Sequence, residues 1–377
     1  MTGAYAHNKA LCHPERIDQL RRGEHPYPVH LHMVLSDLCN VDCPGCPYRQ
    51  SKSQQSELFA IRDDVGQIVN HNPSRFLDYD LVLSVLDDCA AMGTKAIELT
   101  GGGEPTVHPR AREIIAYAQW LGLETAIVTN GILLDRLGEC AVKSKWVRVS
   151  VDAATVDVYA KVRPSYGGGA NHFETVKEQI RELVARRDAT RTDCQIGFGF
   201  VVQKENWHQI VEATALAAEL GCDNIRISAA FMPEGLAYHE MYDDAAIALE
   251  QIAIDKFSHR ISVYDKFDVT TTDMASGPDD PRCSYEHFTT YLGADANLYR
   301  CCVTAYSKRG LIGNVVQAGG LKALWESEQK RTAFDSFDAR QCEGQCRFCS
   351  SLLAINRAVD LPVTPNAPTD IIHPNFV

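Results

Sequence analysis

Three cysteines stand close together directly after an apolar run at residues 30–35. Cys39, Cys43 and Cys46 follow the spacing C-x3-C-x2-C, and the sequence has no fourth cysteine near them. Three thiolates can hold three corners of a [4Fe–4S] cluster and leave its fourth iron open to a reacting ligand. An electron-transfer cluster needs four cysteines, and a structural zinc site usually closes with two ligand pairs. The spacing therefore favours an open-iron cluster over a zinc site or buried thiols.

A glycine-rich turn follows at residues 100–105, which read Thr-Gly-Gly-Gly-Glu-Pro. Consecutive glycines such as Gly102 and Gly103 let the backbone approach a ligand closely. The carboxylate of Glu104 can hold an ammonium group by a charge-assisted hydrogen bond. A glycine turn after a strand is equally compatible with a structural role, so its place shortly after the cysteine triplet is what favours ligand binding.

Six more cysteines lie within residues 283–349, namely Cys283, Cys301, Cys302, Cys342, Cys346 and Cys349. Such a dense group is hard to assign to packing and indicates metal ligation in a chain that we expect to remain in a reducing compartment. The other cysteines are scattered singly, as core or surface thiols usually are: Cys12, Cys89, Cys140, Cys194 and Cys222.

The chain has 377 residues, 45% of them hydrophobic, which suffices for one large core and a smaller one. It has neither the apolar segment of a signal peptide nor an apolar run of membrane-spanning length, so we predict a cytoplasmic protein with no membrane partner. The formal net charge of −12 disfavours a nucleic-acid partner, which would require a local basic patch.

From residue 27, short β-rich runs alternate with helix-period stretches, the pattern of βα units around a parallel sheet. In the run 147–151, period-two alternation turns Arg148, Ser150 and Asp152 toward one face, which is the lumen if the sheet curls into a barrel. The predicted strands are 30–35, 96–99, 125–128, 147–151, 195–202 and 224–228, and the predicted helices are 79–92, 109–121, 133–140, 173–187 and 207–220.

The alternation stops near residue 235. A bridging helix at 238–257, a β-type segment at 261–269 and a turn-rich stretch at 270–281 lead to the second cysteine group. The polar segment 50–76 interrupts the first βα unit and is a candidate lid or specificity region. The predicted division is an N-terminal extension (1–26), a barrel (27–235), a bridging segment (236–280), a small C-terminal cysteine domain (281–355) and a tail (356–377).

The cysteine triplet after a first strand, with Gly-Gly-Glu one βα unit later, resembles the radical S-adenosylmethionine (SAM) enzymes. The resemblance implies an α/β fold with a partial (β/α)6 barrel, a [4Fe–4S] cluster on Cys39, Cys43 and Cys46, and SAM bound at its open iron. The resemblance also implies that SAM is bound by Gly102, Gly103, Glu104, Ser150, Asp152, Arg163, Asn206 and Arg226. For Asn206 and Arg226, a role as surface polar residues is equally compatible with the sequence.

One position departs from the family. The residue before the third cysteine is commonly aromatic there, and in this chain it is Gly45. We expect Tyr48 to replace the missing packing.

The second cysteine group resembles the twitch and SPASM modules of the same family. In these modules a hairpin turn precedes a cysteine, here Cys301, and the usual glycine of that turn is replaced by Ala296. We expect Asn297 to supply the left-handed backbone conformation instead. A zinc ribbon is the alternative. The resemblance implies one auxiliary [4Fe–4S] cluster on Cys283, Cys301, Cys346 and Cys349, with Cys302 and Cys342 in reserve.

The resemblance further implies reductive cleavage of SAM and abstraction of a hydrogen atom from a substrate, with an electron donor such as flavodoxin or ferredoxin as partner. The main hypothesis is oxidation of a small polar substrate, sugar- or aminocyclitol-like. The alternatives are a peptide maturase that forms a cross-link, and an epimerisation or rearrangement, including of a modified nucleotide or base. Candidate catalytic or substrate-contacting residues are Cys302, Tyr48 and Arg49.

Overall fold

The computed structural model describes residues 3–367 and 369–377. Its strands in this part of the chain are β1 (His30–Val34), β2 (Ile61–Arg62), β3 (Ile68–Asn70), β4 (Ala96–Thr100), β5 (Glu124–Thr129), β6 (Trp146–Ser150), β7 (Gln195–Val202), β8 (Asn224–Ala229), β9 (Ser262–Lys266), β10 (Thr289–Leu292), β11 (Asn297–Tyr299) and β12 (Leu311–Asn314).

The α-helices of the same residues are α1 (Pro14–Arg21), α2 (Ser56–Phe59), α3 (Tyr79–Met92), α4 (Ala111–Trp120), α5 (Glu139–Val142), α6 (Val156–Val162), α7 (Phe173–Thr190), α8 (Ile210–Glu219), α9 (Asp243–Phe257), α10 (Phe267–Ser276), α11 (Leu321–Glu326), α12 (Glu328–Asp335) and α13 (Cys349–Asp360). Short 3-10 helices occupy Lys9–Cys12, Pro105–Val107, Leu134–Leu137, Trp207–Gln209, Gly235–Tyr238, Ser284–His287 and Ala339–Cys342.

A ten-stranded sheet runs through the described residues in the order β12-β11-β10-β1-β4-β5-β6-β7-β8-β9. The strands from β1 to β9 in this order are parallel neighbours, and β10 also lies parallel to β1, with His30 opposite Thr289. β11 and β12 complete an antiparallel edge. The sheet therefore continues across the predicted boundary at residue 281, and the domain division stays a prediction.

The residues at the two ends of helix α3 explain where this helix begins and ends. The Asp78 side chain accepts a hydrogen bond from the Leu81 amide and caps the start of α3, and Gly93 ends the helix in the left-handed conformation, with a φ of 72°. These are the residue types that helix ends favour. The predicted helix 79–92 is observed with the same bounds.

All six predicted strands are present, and the α/β fold class is confirmed. The predicted helix 133–140 is divided into a 3-10 helix and α5 by Gly138, which has a φ of 56°. The expected turn-rich stretch at 270–281 largely forms helix α10. Its threonines favour extended structure, but burial of Phe267, Thr270 and Met274 stabilises the helix.

The N-terminal extension packs on the C-terminal part of the chain. Ile17 of α1 shares a small apolar core with Phe288 and with Leu352 and Ile355 of α13. No helix among the described residues is long and apolar enough to cross a membrane.

Candidate active site

The loop that follows β1, called the cysteine loop (residues 39–49), is braced from one side. Arg49 Nη1 donates to Val41 O and Asp42 Oδ1, and Arg49 Nη2 donates to Asn72 Oδ1 at 2.6 Å. The same Asn72 oxygen accepts from the Cys39 amide. The guanidinium group of Arg49 thus holds the cysteine loop to the segment after β3, and its proposed contact with substrate stays a prediction.

The three thiols of this loop are half-buried, and they are electrostatically coupled to one another. Burial raises the pKa of Cys43 to about 12, Arg163 lowers it, and the neighbouring Cys39 and Cys46 raise it further. Thiols that interact in this way lie near one another and beside a cation, an arrangement that suits shared thiolate ligation.

The glycine turn (residues 100–105) packs directly on the segment that leads into the cysteine loop. The Gly103 amide donates to Ser36 O and the Glu104 amide donates to Leu38 O. A Cβ atom on Gly103 would lie 2.3 Å from Leu38 O, and one on Gly102 would lie 2.6 Å from Asp37 Oδ1. Only glycine allows this approach, which brings the turn beside the three cysteines.

The Glu104 carboxylate is fixed from several sides. Its Oε1 accepts from Thr106 N, Thr106 Oγ1 and Thr129 Oγ1, and its Oε2 accepts from Asn130 N at 2.7 Å. Burial raises the pKa of Glu104, and the hydrogen bond from Thr129 lowers it. Among the described residues, Oε2 has one donor, so it retains a lone pair for a ligand ammonium group.

Two predicted SAM-binding residues form an ion pair at the end of β6. Arg163 donates through Nε and Nη2 to Asp152 Oδ2, at 2.9 and 2.6 Å. Asp152 has a φ of 59°, a left-handed conformation that is strained for a non-glycine residue. Arg163 also acts on the pKa of Cys43, so this pair adjoins the cysteine loop.

The other predicted SAM-binding residues at strand ends are used differently. Asn206 is fully buried, and its amide donates to Asp152 O and Val201 O, which joins the ends of β6 and β7. Ser150 ends β6 in register with Gly199. Arg226 lies within β8 and faces the lumen described below. Their roles in binding SAM stay predictions.

The space next to Gly45 is filled by a residue that sequence reasoning missed. A Cβ atom on Gly45 would lie 2.5 Å from Gln203 Oε1. Tyr48 packs instead against Phe59 and Tyr306, and its hydroxyl is hydrogen-bonded to that of Tyr291. Gln203, which follows β7, thus occupies the position at Gly45 that we expected Tyr48 to cover.

A cavity of about 320 Å³, lined by both apolar and charged side chains, lies in the lumen of the barrel. This lumen cavity is bounded at one end by residues 4–9 and 372–377 and reaches Thr100, next to the glycine turn. Sequence reasoning missed most of its polar residues because they alternate with core residues in buried strands. The side chains that line it and carry chemistry include His30, His32, Glu98, Arg148, Arg226, Cys302 and Arg347.

The second cysteine group surrounds a separate, small enclosed cavity. Four of its members line this cavity and are called the auxiliary cysteine site: Cys283, Cys301, Cys342 and Cys346. Cys349 is not among them, because its Sγ donates to Gly277 O at 2.9 Å. The structure thus brings Cys342, a reserve candidate, into the position that we expected for Cys349. Cys302 faces the lumen cavity instead.

The distances between the ligand sulfur atoms differ between a single bound zinc ion and a bound iron–sulfur cluster. Tetrahedral Zn–S bonds of about 2.3 Å place zinc-bound sulfurs about 3.8 Å apart. Within residues 3–367 and 369–377, the one group of three potential ligands whose donor atoms lie within 4.8 Å of one another is His30, His32 and Glu98. The cysteine sulfurs of neither site form such a group, so their placement in the structure does not match a single bound zinc ion.

In the hairpin before the auxiliary cysteine site, the expectation that Asn297 takes the left-handed conformation is wrong. Ala296 itself takes the left-handed conformation, with a φ of 60°, whereas Asn297 begins β11. The Asp295 side chain accepts from the Asn297 amide and stabilises this turn, so alanine is tolerated where glycine is usual.

The segment 50–76 contacts residues 302–308, which follow Cys301 of the auxiliary cysteine site. Gln55 Nε2 donates to Cys302 O, the Leu58 amide donates to Tyr306 O, and the Lys308 amide donates to Glu57 Oε2. These contacts hold the segment against residues 302–308, and its role as a lid or specificity region stays a prediction.

The fold is a parallel α/β barrel, and its two cysteine sites suit iron–sulfur clusters. The model of the radical SAM superfamily matches residues 33–217. Residues 33–217, just under half of the chain, are thus a radical SAM domain.

Relatives differ in how much of the chain they match. The PqqA peptide cyclase of Gluconobacter oxydans is 27% identical over 203 residues, 53% of this chain and 49% of that protein. The chain thus spans about half the length of this relative. The mycofactocin maturase MftC of Mycobacterium ulcerans is 26% identical over 350 residues, 89% of this chain and 84% of that protein.

Among solved structures, Streptococcus suis SuiB bound to its precursor peptide SuiA shares the fold, with a TM-score of 0.60 and 14% identity. The similarity covers 89% of this chain and 73% of SuiB. The cofactors of this superfamily are a [4Fe–4S] cluster and SAM, and the second cysteine group fits an auxiliary cluster like that of the SPASM relatives.

Proposed function

We propose that the protein is a radical SAM maturase that oxidises a residue of a peptide, with the reacting side chain held in the lumen cavity. The observation that carries this proposal is the position of that cavity. Thr100, beside the glycine turn, lines it, and so does the stacked pair of Tyr285 and Phe348, whose ring centroids are 5.0 Å apart. The same pair also lines the auxiliary cysteine site. A group in the lumen cavity therefore lies between the two cysteine sites.

The residues have distinct proposed roles. Cys39, Cys43 and Cys46 would hold the first cluster, and Glu104 would orient SAM through its ammonium group. When bound, SAM and this cluster supply a 5′-deoxyadenosyl radical that removes a hydrogen atom from an unactivated carbon. The auxiliary cysteine site, with Cys342 in place of Cys349, would hold the second cluster, which would supply the acceptor for the second electron that the oxidised residue loses. The lid segment 50–76 excludes water and other hydrogen donors.

Oxidation also releases a proton from the substrate. His32 Nδ1 and Glu98 Oε1 lie 3.6 Å apart in the lumen cavity, so this pair offers a nearby acceptor.

The relatives support a peptide substrate over a sugar- or aminocyclitol-like one, because one is named a peptide cyclase and another a maturase. The size of the lumen cavity supports a second candidate, a small polar metabolite, since about 320 Å³ also accommodates one such molecule.

The test uses anaerobically reconstituted protein with SAM and dithionite. One set of reactions receives synthetic peptides that together present all amino-acid side chains, and a matched set receives aminocyclitols and sugars. We expect the peptides to raise 5′-deoxyadenosine formation above the uncoupled rate, and mass spectrometry to detect a peptide that has lost two hydrogen atoms. Stimulation by the cyclitol set together with unchanged peptides would favour the second candidate.

A further inference from the structure

Two arginines face the lumen cavity with hydrogen-bond donors that the protein does not use. Arg226 Nε, and both Nε and Nη2 of Arg347, are buried and lack a partner within the described residues. Arg226 lies over the Tyr5 ring and Arg347 over the Phe231 ring, at 5.3 and 4.5 Å from the ring centroids. Aromatic faces hold these guanidinium groups in place but do not satisfy their N–H groups.

The two acidic side chains that line the same cavity, Glu98 and Asp273, are already engaged. Glu98 lies 3.6 Å from His32 Nδ1 and 3.8 Å from His30 Nε2. Asp273 accepts from the amide and the hydroxyl of Ser350. Neither arginine forms an ion pair with any carboxylate of the described chain.

A third cation adds to this charge. Arg148 also lines the cavity, and its Nη1 donates to the neutral hydroxyl of Tyr5. Positive charge therefore exceeds negative charge on the wall near Glu98. A metal cation at His30, His32 and Glu98 would be repelled by it, whereas an anion would be attracted.

Unpaired, buried guanidinium donors are costly, and they match the oxygen pairs of carboxylates and phosphates. We infer that the lumen cavity is an anion-binding subsite in which Arg226 and Arg347 hold a carboxylate or phosphate group of the substrate. If the proposed function holds, on which this identification of the ligand rests, the group is the side chain of an aspartate or glutamate in the peptide.

The test measures binding by isothermal titration calorimetry to the anaerobically reconstituted protein, so the readout does not depend on turnover. The matched probes are N-acetyl-glutamate amide and N-acetyl-glutamine amide, which differ in charge and little in shape. We expect the glutamate probe to bind about tenfold more tightly or better. Equal affinities, or failure of the glutamate probe and of inorganic phosphate to bind, would overturn the inference.

Substitutions locate the subsite. Arg226→Gln and Arg347→Gln should each weaken binding of the glutamate probe by about tenfold, and the corresponding lysine variants should retain part of the affinity. Arg260→Gln changes an exposed arginine and serves as the control. Should a glutamine variant fail to fold, the two probes on the parent protein still decide the question. Unaltered binding in folded Arg226→Gln and Arg347→Gln variants would contradict the assignment.

Two further titrations show whether the anionic group that binds the arginines comes from the substrate, from SAM or from phosphate. SAM also carries a carboxylate, so the titration is repeated with SAM at saturation. An affinity unchanged within about twofold assigns the subsite to the substrate, whereas loss of probe binding assigns the arginines to SAM and overturns the inference. Binding of phosphate without binding of the glutamate probe would support the subsite but contradict the peptide substrate.

Discussion

Single residues decide which sulfurs can share a cluster. Cys342 and Cys349 are both buried near the end of the chain, yet their sulfurs face different groups. Cys342 lines the small cavity of the auxiliary cysteine site, whereas Cys349, at the start of α13, donates to the carbonyl oxygen of Gly277, which follows α10. The C-x2-C spacing of Cys346 and Cys349 is therefore a poorer guide to ligation than the direction of each side chain.

This difference predicts the iron content of two matched variants. Cys342→Ala should lose about four of the eight irons expected for two cubane clusters, because it removes a proposed ligand of the auxiliary cysteine site. Cys349→Ala should retain about eight. Iron is measured per chain after anaerobic reconstitution. If Cys342→Ala retained about eight irons and Cys349→Ala lost about four, the ligand set predicted from the sequence, with Cys349 rather than Cys342, would be supported instead.

At the scale of elements, the cysteine loop is positioned by two close contacts of different kinds. Gly103 meets the backbone at Leu38, which cannot move without displacing the loop, whereas Gly45 meets the end of the flexible Gln203 side chain. The first contact is rigid and the second adaptable.

We therefore expect Gly103→Ala to lower the free energy of unfolding by about 3 kcal/mol or more and to impair SAM binding. Gly45→Ala should cost about 1 kcal/mol, and Gln203→Ala added to it should recover most of that loss. Denaturant titrations of cluster-free protein supply the free energies. An equal cost for the two glycine variants, or no coupling between residues 45 and 203, would refute this distinction.

Some elements of the fold were predictable from the sequence and others were not, for physical reasons. The six strands of the barrel were predictable because each is a short apolar run between turn signals, and the cysteine triplet and Gly-Gly-Glu are local motifs. The pairing of β10 with β1 was not predictable, since nothing local links residues so far apart. The lumen residues His30 and His32 were missed for a related reason, because they alternate with Leu31 and Met33 in a strand that is buried on both faces.

For the whole molecule, the continuous sheet joins the barrel to the C-terminal residues. Helix α11 also packs on α3, where the Lys322 amide donates to Asp88 Oδ2. Trp325 of α11 donates to Pro26 O, so the N-terminal extension is part of the same packing. These contacts favour one cooperative folding unit.

Two variants test this cooperativity, one retaining Trp146 and the other Trp325 as the only tryptophan. Trp146 reports on β6, and Trp325 on the C-terminal part of the chain. In cluster-free protein titrated with guanidinium, we expect the fluorescence unfolding curves of the two variants to coincide with each other and with the curve from far-UV circular dichroism. Two separate midpoints would indicate independently folding domains.

The pairing of β1 with β10 has a consequence for synthesis on the ribosome. About 250 residues separate the two strands, so at translation rates of about 5–20 residues per second β10 emerges roughly 10–50 seconds after β1. Throughout this interval one edge of β1 has no partner, and residues 302–308, on which the lid segment rests, do not yet exist. The nascent chain therefore presents an uncovered cysteine loop, a period in which the machinery that delivers iron and sulfide has direct access to Cys39, Cys43 and Cys46.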